Sequence, residues 1–303
     1  MVIIRVMGGL GNQLQQYALY RKFQSIGTEA GLDISWFSQA SQAQAAAPRR
    51  FALSDFRNLP MRVVSKEEVR SLLGRGYEEK AGLVEKLKKR FLPEKGFLFE
   101  ESEMFHPQIF DWHRRYLVGY WACEAYYSDI LEKLRQEIRF PISADRRNRE
   151  AVEELSSQPS ASIHIRRGDY LDAANVAMFG GICTEEYYDT SVRYVKERQS
   201  RVIFYVFSDD LEYARAHYPG PEYRIVDWNR GEGSFYDMQL MSCCKYNICA
   251  NSTFSFWGAR LNGSNDKVMI RPSIQKNSQI CVPEEMKKLW KGWTLVTPEG
   301  RVI

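Results

Sequence analysis

Two adjacent arginines close an apolar run in Ser162-Ile163-His164-Ile165-Arg166-Arg167-Gly168-Asp169-Tyr170. An arginine keeps its charge and forks onto phosphate oxygens, so a pair at a strand tip suits an anion. In open α/β sheets ligands sit at the carboxyl ends of the strands. Gly168 lets backbone come close, and Asp169 can orient an arginine or take a proton. An isolated Arg-Arg-Gly-Asp is more often a solvated turn. Here His164 and Ile165 set the pair directly on a buried-strand pattern, and two motifs downstream agree with an anion site.

Three other stretches carry chemistry. Gly8-Gly9-Leu10-Gly11-Asn12-Gln13 has neither the Gly-Lys-Ser/Thr of a P-loop nor the third glycine of a dinucleotide fingerprint. It leaves a close-approach turn and a helix start bearing two amides, able to hold a phosphate or orient a sugar hydroxyl. A second buried run, from Val202, ends in Ser208-Asp209-Asp210. Paired carboxylates there can chelate a metal, act as acid and base, or accept hydrogen bonds from a base or ribose. The chain has no Asp-x-Asp, so nucleoside recognition is the more economical role, with one of the two capping the next helix. The third stretch runs from Asn247 into Asn251-Ser252-Thr253-Phe254-Ser255, where hydroxyls and amide N–H groups at a helix start form a second anion cradle or a plain N-cap.

These motifs need strands to carry them. Residues 2–6 predict a strand, the glycines a turn, and 12–26 a helix, the opening of an α/β unit. A second strand is expected at 31–36, while 38–50 reads as loop or weak helix. Residues 78–91 read as a helix with a lysine-rich solvated face. The span 105–127 is dense in aromatics, most of them core, although such density also suits stacking on sugar rings. The polar, proline-flanked stretch 141–160 is expected to join two lobes, 1–150 and 151–303. Strands then recur at 161–166, 202–208, 223–226, 247–250 and 267–270, with helices at 185–199 and 235–246, which predicts a second parallel, doubly wound sheet.

With 303 residues, 44% hydrophobic and 26% charged, the chain is in the globular range. A net charge of +4 favours anionic ligands and is too small to argue nucleic acid. No apolar run approaches the roughly 18 residues of a membrane span, and the first residues lack a signal-peptide pattern. Six cysteines in so long a chain form no secreted framework, and Cys243-Cys244 with Cys249 lacks zinc spacing, so reduced thiols and a cytoplasmic location are expected.

Taken together, His164 to Tyr170, Gly9-Leu10-Gly11-Asn12-Gln13 and Asn251 to Ser255 resemble the α-1,2-fucosyltransferase family, its bacterial members above all. Gly119-Tyr120-Trp121, Asp227-Trp228-Asn229 and Asp237 to Ser242 are similar to it too. The resemblance implies an α/β fold of GT-B type, two Rossmann-like lobes with a cleft between them, the first on the acceptor side and the second binding GDP-fucose. It implies inverting, metal-independent transfer of fucose to the 2-hydroxyl of a terminal β-galactoside in an oligosaccharide, with no cofactor. Arg166 and Arg167 would hold the diphosphate, His164 and an aspartate of Ser208-Asp209-Asp210 the guanosine. Asn251, Ser252, Thr253 and Phe254 would complete the cradle, and Gly9, Leu10, Gly11, Asn12 and Gln13 would close on the fucosyl diphosphate. Arg167 and Asp169 are the catalytic candidates, Asp169 being favoured over Glu124 as base. A peripheral contact with the inner membrane through a lipid-linked acceptor stays open. Phe256, Tyr246 and Ala122 depart from the family's tryptophan, histidine and glutamine, which touches the acceptor more than the donor. Competing readings are transfer of another GDP-deoxyhexose and a non-catalytic nucleotide-sugar or glycan-binding module.

Overall fold

Val2, Ile3 and Ile4 are fully buried in the first strand, as their unbroken apolar run predicts for a strand covered on both faces. The computed structural model describes residues 1–38, 49–73, 97–100, 104–277 and 288–303, without the side chains of Phe97, Asp169 and Ala174. The chain divides into two units, Met1–Arg139 and Phe140–Ile303.

In the first unit β1 (Val2–Arg5), α1 (Leu10–Ser25), β2 (Ala30–Asp33), α2 (Lys66–Leu73), β3 (Phe97–Phe99), β4 (Arg115–Val118) and α3 (Leu131–Glu137) follow in order. The strands form a parallel sheet in the order β2-β1-β4-β3. Ile4 sits level with Leu32 on one side and Leu117 on the other. β2 is shorter than expected from the sequence. Asp33 ends it by accepting the N–H of Ser35 at 2.9 Å, which turns the chain into the 3-10 turn Ser35–Phe37. The undecided stretch 39–48 and the expected helix 78–91 lie outside the described residues. Of the aromatic span, Tyr116, Trp121, Tyr126 and Tyr127 are core. Tyr120 is not.

The second unit contains α4 (Arg146–Ser157), β5 (Ser160–Ile165), α5 (Ala173–Phe179), α6 (Glu185–Arg198), β6 (Ile203–Ser208), α7 (Leu211–His217), β7 (Tyr223–Val226), α8 (Phe235–Cys243), β8 (Tyr246–Ile248), α9 (Thr253–Leu261), β9 (Val268–Pro272) and β10 (Trp293–Val296). Its six strands are parallel in the order β10-β9-β8-β5-β6-β7. Two parallel α/β units give the α/β class expected. Position 150 falls inside α4, which packs on α8 within the second unit. The described cysteines are free, with Cys123, Cys244 and Cys249 buried; Cys281 lies outside the described residues.

The sheet of the second unit is covered on both faces. Ala161, Ile163 and Ile165 join Tyr187, Tyr188, Val192 and Val195 of α6 on one side. Tyr205 and Phe207 join Ala151 and Leu155 of α4 and Leu240 and Met241 of α8 on the other. Burying each such isoleucine stabilises by about 1.5–3 kcal/mol relative to leaving it exposed. The alternate residues of β5 are polar, and its two serines are satisfied locally. Ser160 donates to Leu155 O at 3.0 Å, and Ser162 accepts from Asn247 of β8 at 2.8 Å. This alternation is what brings His164 onto the face that carries Phe254, with ring centroids 5.8 Å apart.

Beyond β7 a polar network joins α4 to α8. Asn148 accepts from Trp228 Nε1 and from Asn229, both at 2.8 Å, and Asn229 donates to Asp237 at 2.9 Å. Burial pushes the Asp237 carboxyl up to about 7, against the pull of Asn229 and Arg230. An unfolded aspartate titrates near 4, so folding takes up a proton between those values. The contribution of this group is full below about pH 4 and is lost as the pH rises through about 7. Asp237→Asn is expected to raise the thermal midpoint at pH 8 and to leave it near wild type at pH 4, as read by thermal denaturation at both values. An equal shift at both would refute a buried proton at Asp237.

Candidate functional site

In the second sheet the chain starts at β5, adds β6 and β7 on one side, then returns to place β8 on the other. The carboxyl ends of β5 and β8 therefore flank the switch point, where doubly wound sheets open a crevice. Arg166 and Arg167 follow β5, Asn251 and Ser252 follow β8, and Asp209 and Asp210 follow β6. The sequence-predicted groups of this unit thus converge on three neighbouring strand ends.

The arginines are braced by the aspartates. Arg166 Nη1 lies 2.8 Å from Asp209 Oδ2, and Arg167 Nε 3.0 Å from Asp210 Oδ2. Asp209 Oδ1 also accepts the backbone N–H groups of Arg167 at 2.9 Å and Gly168 at 3.1 Å. A Cβ on Gly168 would come 2.8 Å from Asp209 Oδ2, which is why this turn takes glycine. Asp210 caps α7 by accepting the N–H of Tyr213 at 3.0 Å, and its own N–H donates to Ser208 Oγ at 3.0 Å. The Tyr213 N–H, and then Arg167, hold the Asp210 carboxyl below the usual carboxylate range. Both arginine side chains remain partly exposed, at 27% and 35%.

Two tyrosines complete the brace, and their positions were not legible as site positions. The Arg167 guanidinium lies 4.0 Å from the centre of the Tyr213 ring, and Arg166 5.6 Å from that of Tyr170. Tyr170 stacks on Phe179 at 4.7 Å and donates to Asn251 O at 3.1 Å. Asn251 is itself 2% exposed, donating to Phe179 O and Gln275 O at 3.3 Å each. It therefore fixes the loop after β8, whereas Ser252, Thr253 and Phe254 are half-buried at the start of α9. Ser252 is the N-cap residue without a side-chain cap bond. Asp169 opens the 3-10 turn Asp169–Leu171, and its side chain lies outside the described residues.

His164 is almost completely buried, and its Nδ1 makes no hydrogen bond among the described residues. Burial, helped by Arg166, pushes its pKa down to about 3, so the imidazole is neutral throughout the physiological range. It can offer one donor and one acceptor but no charge.

In the first unit the turn after β1 is as tight as its glycines suggest. Gly8 has φ +81, and Gly9 is the N-cap residue of α1. Gln13 is spent on the fold: it donates to Gly8 O and Arg50 O, both at 2.9 Å, and accepts from Ala52 N at 2.8 Å. Leu10, Gly11 and Asn12 form the first turn of α1, with Gly11 buried and Leu10 and Asn12 partly so. Of the family departures, Phe256 and Tyr246 are buried in the core of the second unit, Phe256 against Arg271 and Trp293.

The family model described as glycosyl transferase family 11 matches residues 98–297. An alpha-1,2-colitosyltransferase of Escherichia coli is 34% identical over 277 residues, covering 90% of this chain and 91% of that protein. The O-antigen biosynthesis glycosyltransferase WbnK of Escherichia coli is 32% identical over 291 residues, covering 88% and 91%. Among solved structures, the fucosyltransferase NodZ from Bradyrhizobium aligns over 85% of this chain and 91% of that one, with 14% identity and a TM-score of 0.49.

Asp209→Ala strips a partner from two backbone N–H groups and one guanidinium, and is expected to cost about 1–3 kcal/mol of stability. Asp209→Asn keeps an acceptor oxygen and is expected to cost less. Chemical denaturation of the three proteins checks the order; an undiminished Asp209→Ala would mean that the β6 tip does not brace the arginines.

Proposed function

The chain belongs to glycosyl transferase family 11, and from that premise we propose that it moves L-fucose from GDP-fucose to the 2-hydroxyl of a terminal β-galactoside, inverting the anomeric centre without a metal ion. The observation that carries this reading is the pair of braced guanidinium groups at the switch point, beside the start of α9. Breaking the C1–O bond of a nucleotide sugar builds negative charge on the departing diphosphate. Fixed cations and helix N–H groups can stabilise that charge without reorganising. The ion pairs support this role because they set the arginines in place before a ligand arrives.

His164, neutral and with a buried Nδ1 that has no partner among the described residues, suits a hydrogen bond to the uncharged guanosine part of the donor. Asp209 and Asp210 serve the donor through Arg166 and Arg167; in this reading their carboxylates orient cations first and meet guanosine second. Ser252, Thr253 and Phe254 complete the cradle. Within the first unit, the Gln13 amide keeps the Gly8–Asn12 loop in shape. Asp169 takes the proton of the acceptor hydroxyl as it attacks C1 from the face opposite the leaving group.

One comparison favours a second reading. The 34% identical relative is a colitosyltransferase, so a colitosyl donor competes with the fucosyl one. Among the described residues no helix is long and apolar enough to cross a membrane. Access to a lipid-linked glycan would then be peripheral.

Arg167→Ala is expected to lower transfer from GDP-fucose by about 10²–10³-fold, by analogy with the loss of one oxyanion-hole donor. Its thermal midpoint should stay near that of wild type, and EDTA should leave wild-type turnover unchanged. GDP release from GDP-fucose and GDP-colitose, each with lactose, measures both turnovers and ranks the donors, and thermal denaturation reads the midpoint. Near-normal turnover by Arg167→Ala would sink the proposal.

A further inference from the structure

The end of β4 in the first unit holds a backbone outlier. Trp121 has φ +54 while only 1% exposed. A bulky residue keeps that left-handed conformation only where its surroundings impose it, at a cost of about 1–3 kcal/mol. The surroundings are plain. Glu100, the residue after β3, accepts the N–H of Tyr120 at 2.7 Å and of Trp121 at 3.0 Å on one carboxylate oxygen. The Trp121 indole meets Tyr126 edge to face at 5.7 Å. The turn drives Trp121 into the core and turns Tyr120 out, leaving it 45% exposed among aromatic neighbours that are buried.

The place is as telling as the strain. In the first sheet β1 is flanked by β2 on one side and β4 on the other, so the ends of β1 and β4 flank that sheet's own switch point. Gln16 ties those two ends together, accepting from Met7 N at 2.9 Å and donating to Gly119 O at 2.8 Å. The Tyr120 ring stands over the glycine turn, where a Cβ added at Gly8 would come 3.3 Å from Tyr120 Cε1. An exposed ring so fixed offers a flat apolar face at little entropic cost.

We propose that Tyr120 is the platform on which a pyranose ring of the acceptor stacks, and that Glu100 is a positioning residue that holds the platform. The proposal rests on the acceptor being a β-galactoside, as above, and adds the residue that grips it. The C–H face of galactose is the complementary surface. Strain at Trp121 is maintained because the relaxed turn would fold the Tyr120 ring away from the strand ends.

Saturation-transfer NMR with lactose as the probe, run without donor, tests this on wild type, Tyr120→Ala and Tyr120→Phe. Wild type is expected to bind lactose, Tyr120→Phe to stay within about twofold, and Tyr120→Ala to weaken binding about tenfold, equivalent to about 1.4 kcal/mol. Both variants should melt as wild type does, since the ring is exposed. Equal binding by wild type and Tyr120→Ala, or no lactose binding by wild type, overturns the proposal. Absence of GDP release from GDP-fucose would count against the donor reading alone, because lactose binding is read without it.

Discussion

Two guanidinium groups on consecutive residues repel each other, and they stand at one strand tip because the neighbouring parallel strand ends in two carboxylates. The pairing is crosswise and matched in order, Arg166 with Asp209 and Arg167 with Asp210. It follows from the register of β5 on β6, in which Ile165 lies level with Ser208. A slip of one residue would move every side chain of the strand to the other face, burying an arginine or losing a partner. The hydrophobic sandwich around β5 is what forbids that slip. Packing far from the tip thus sets the electrostatics at the tip.

The same rule operates in both units. Each sheet is parallel and each reverses its growth direction once, between β5 and β8 in the second and between β1 and β4 in the first. At each reversal a buried amide joins the elements around it: Asn247 reaches Ser162 and Met241 O in the second unit, and Gln16 reaches Met7 and Gly119 in the first. Buried amides are costly unless satisfied, so these two are specific to the pairing they make. They hold the strand ends in place while leaving the tips free to carry ligand-facing groups.

The sequence disclosed the strands that are long and apolar, and the charged residues that end them. β5 and β6 were readable because strand-like runs, alternating apolar and polar in β5 and nearly all apolar in β6, end in arginine or aspartate. β3, β4 and β10 were not, although β7 and β8 are as short and were read; β4 lies inside the aromatic span 105–127, where no period stands out. The amides of the glycine turn were read as ligand groups, yet Gln13 turns out to be consumed by backbone. Tyr213 and Tyr170 escaped as braces because a ring under a guanidinium is a three-dimensional relation with no fixed spacing. A cap at Asp209 or Asp210 was legible, since aspartate before a helix commonly serves as one, and Asp210 is the residue that fills it.

The position of β1 has a further consequence, for how the chain acquires its shape. β1 is made before the other strands of its sheet and lies inside it, with Val2 level with Ala30 on one side and with Arg115 on the other. The β2 side can close early through α1. The β4 side must wait for a distant segment, and closing so long a loop is entropically costly and slow. Until then the amides and carbonyls of Val2–Arg5 stand bare along one edge, a template for any passing strand. The nascent first unit is therefore most vulnerable to mispairing during the interval between the synthesis of β2 and that of β4, and the time a ribosome spends on that stretch sets how long the exposure lasts.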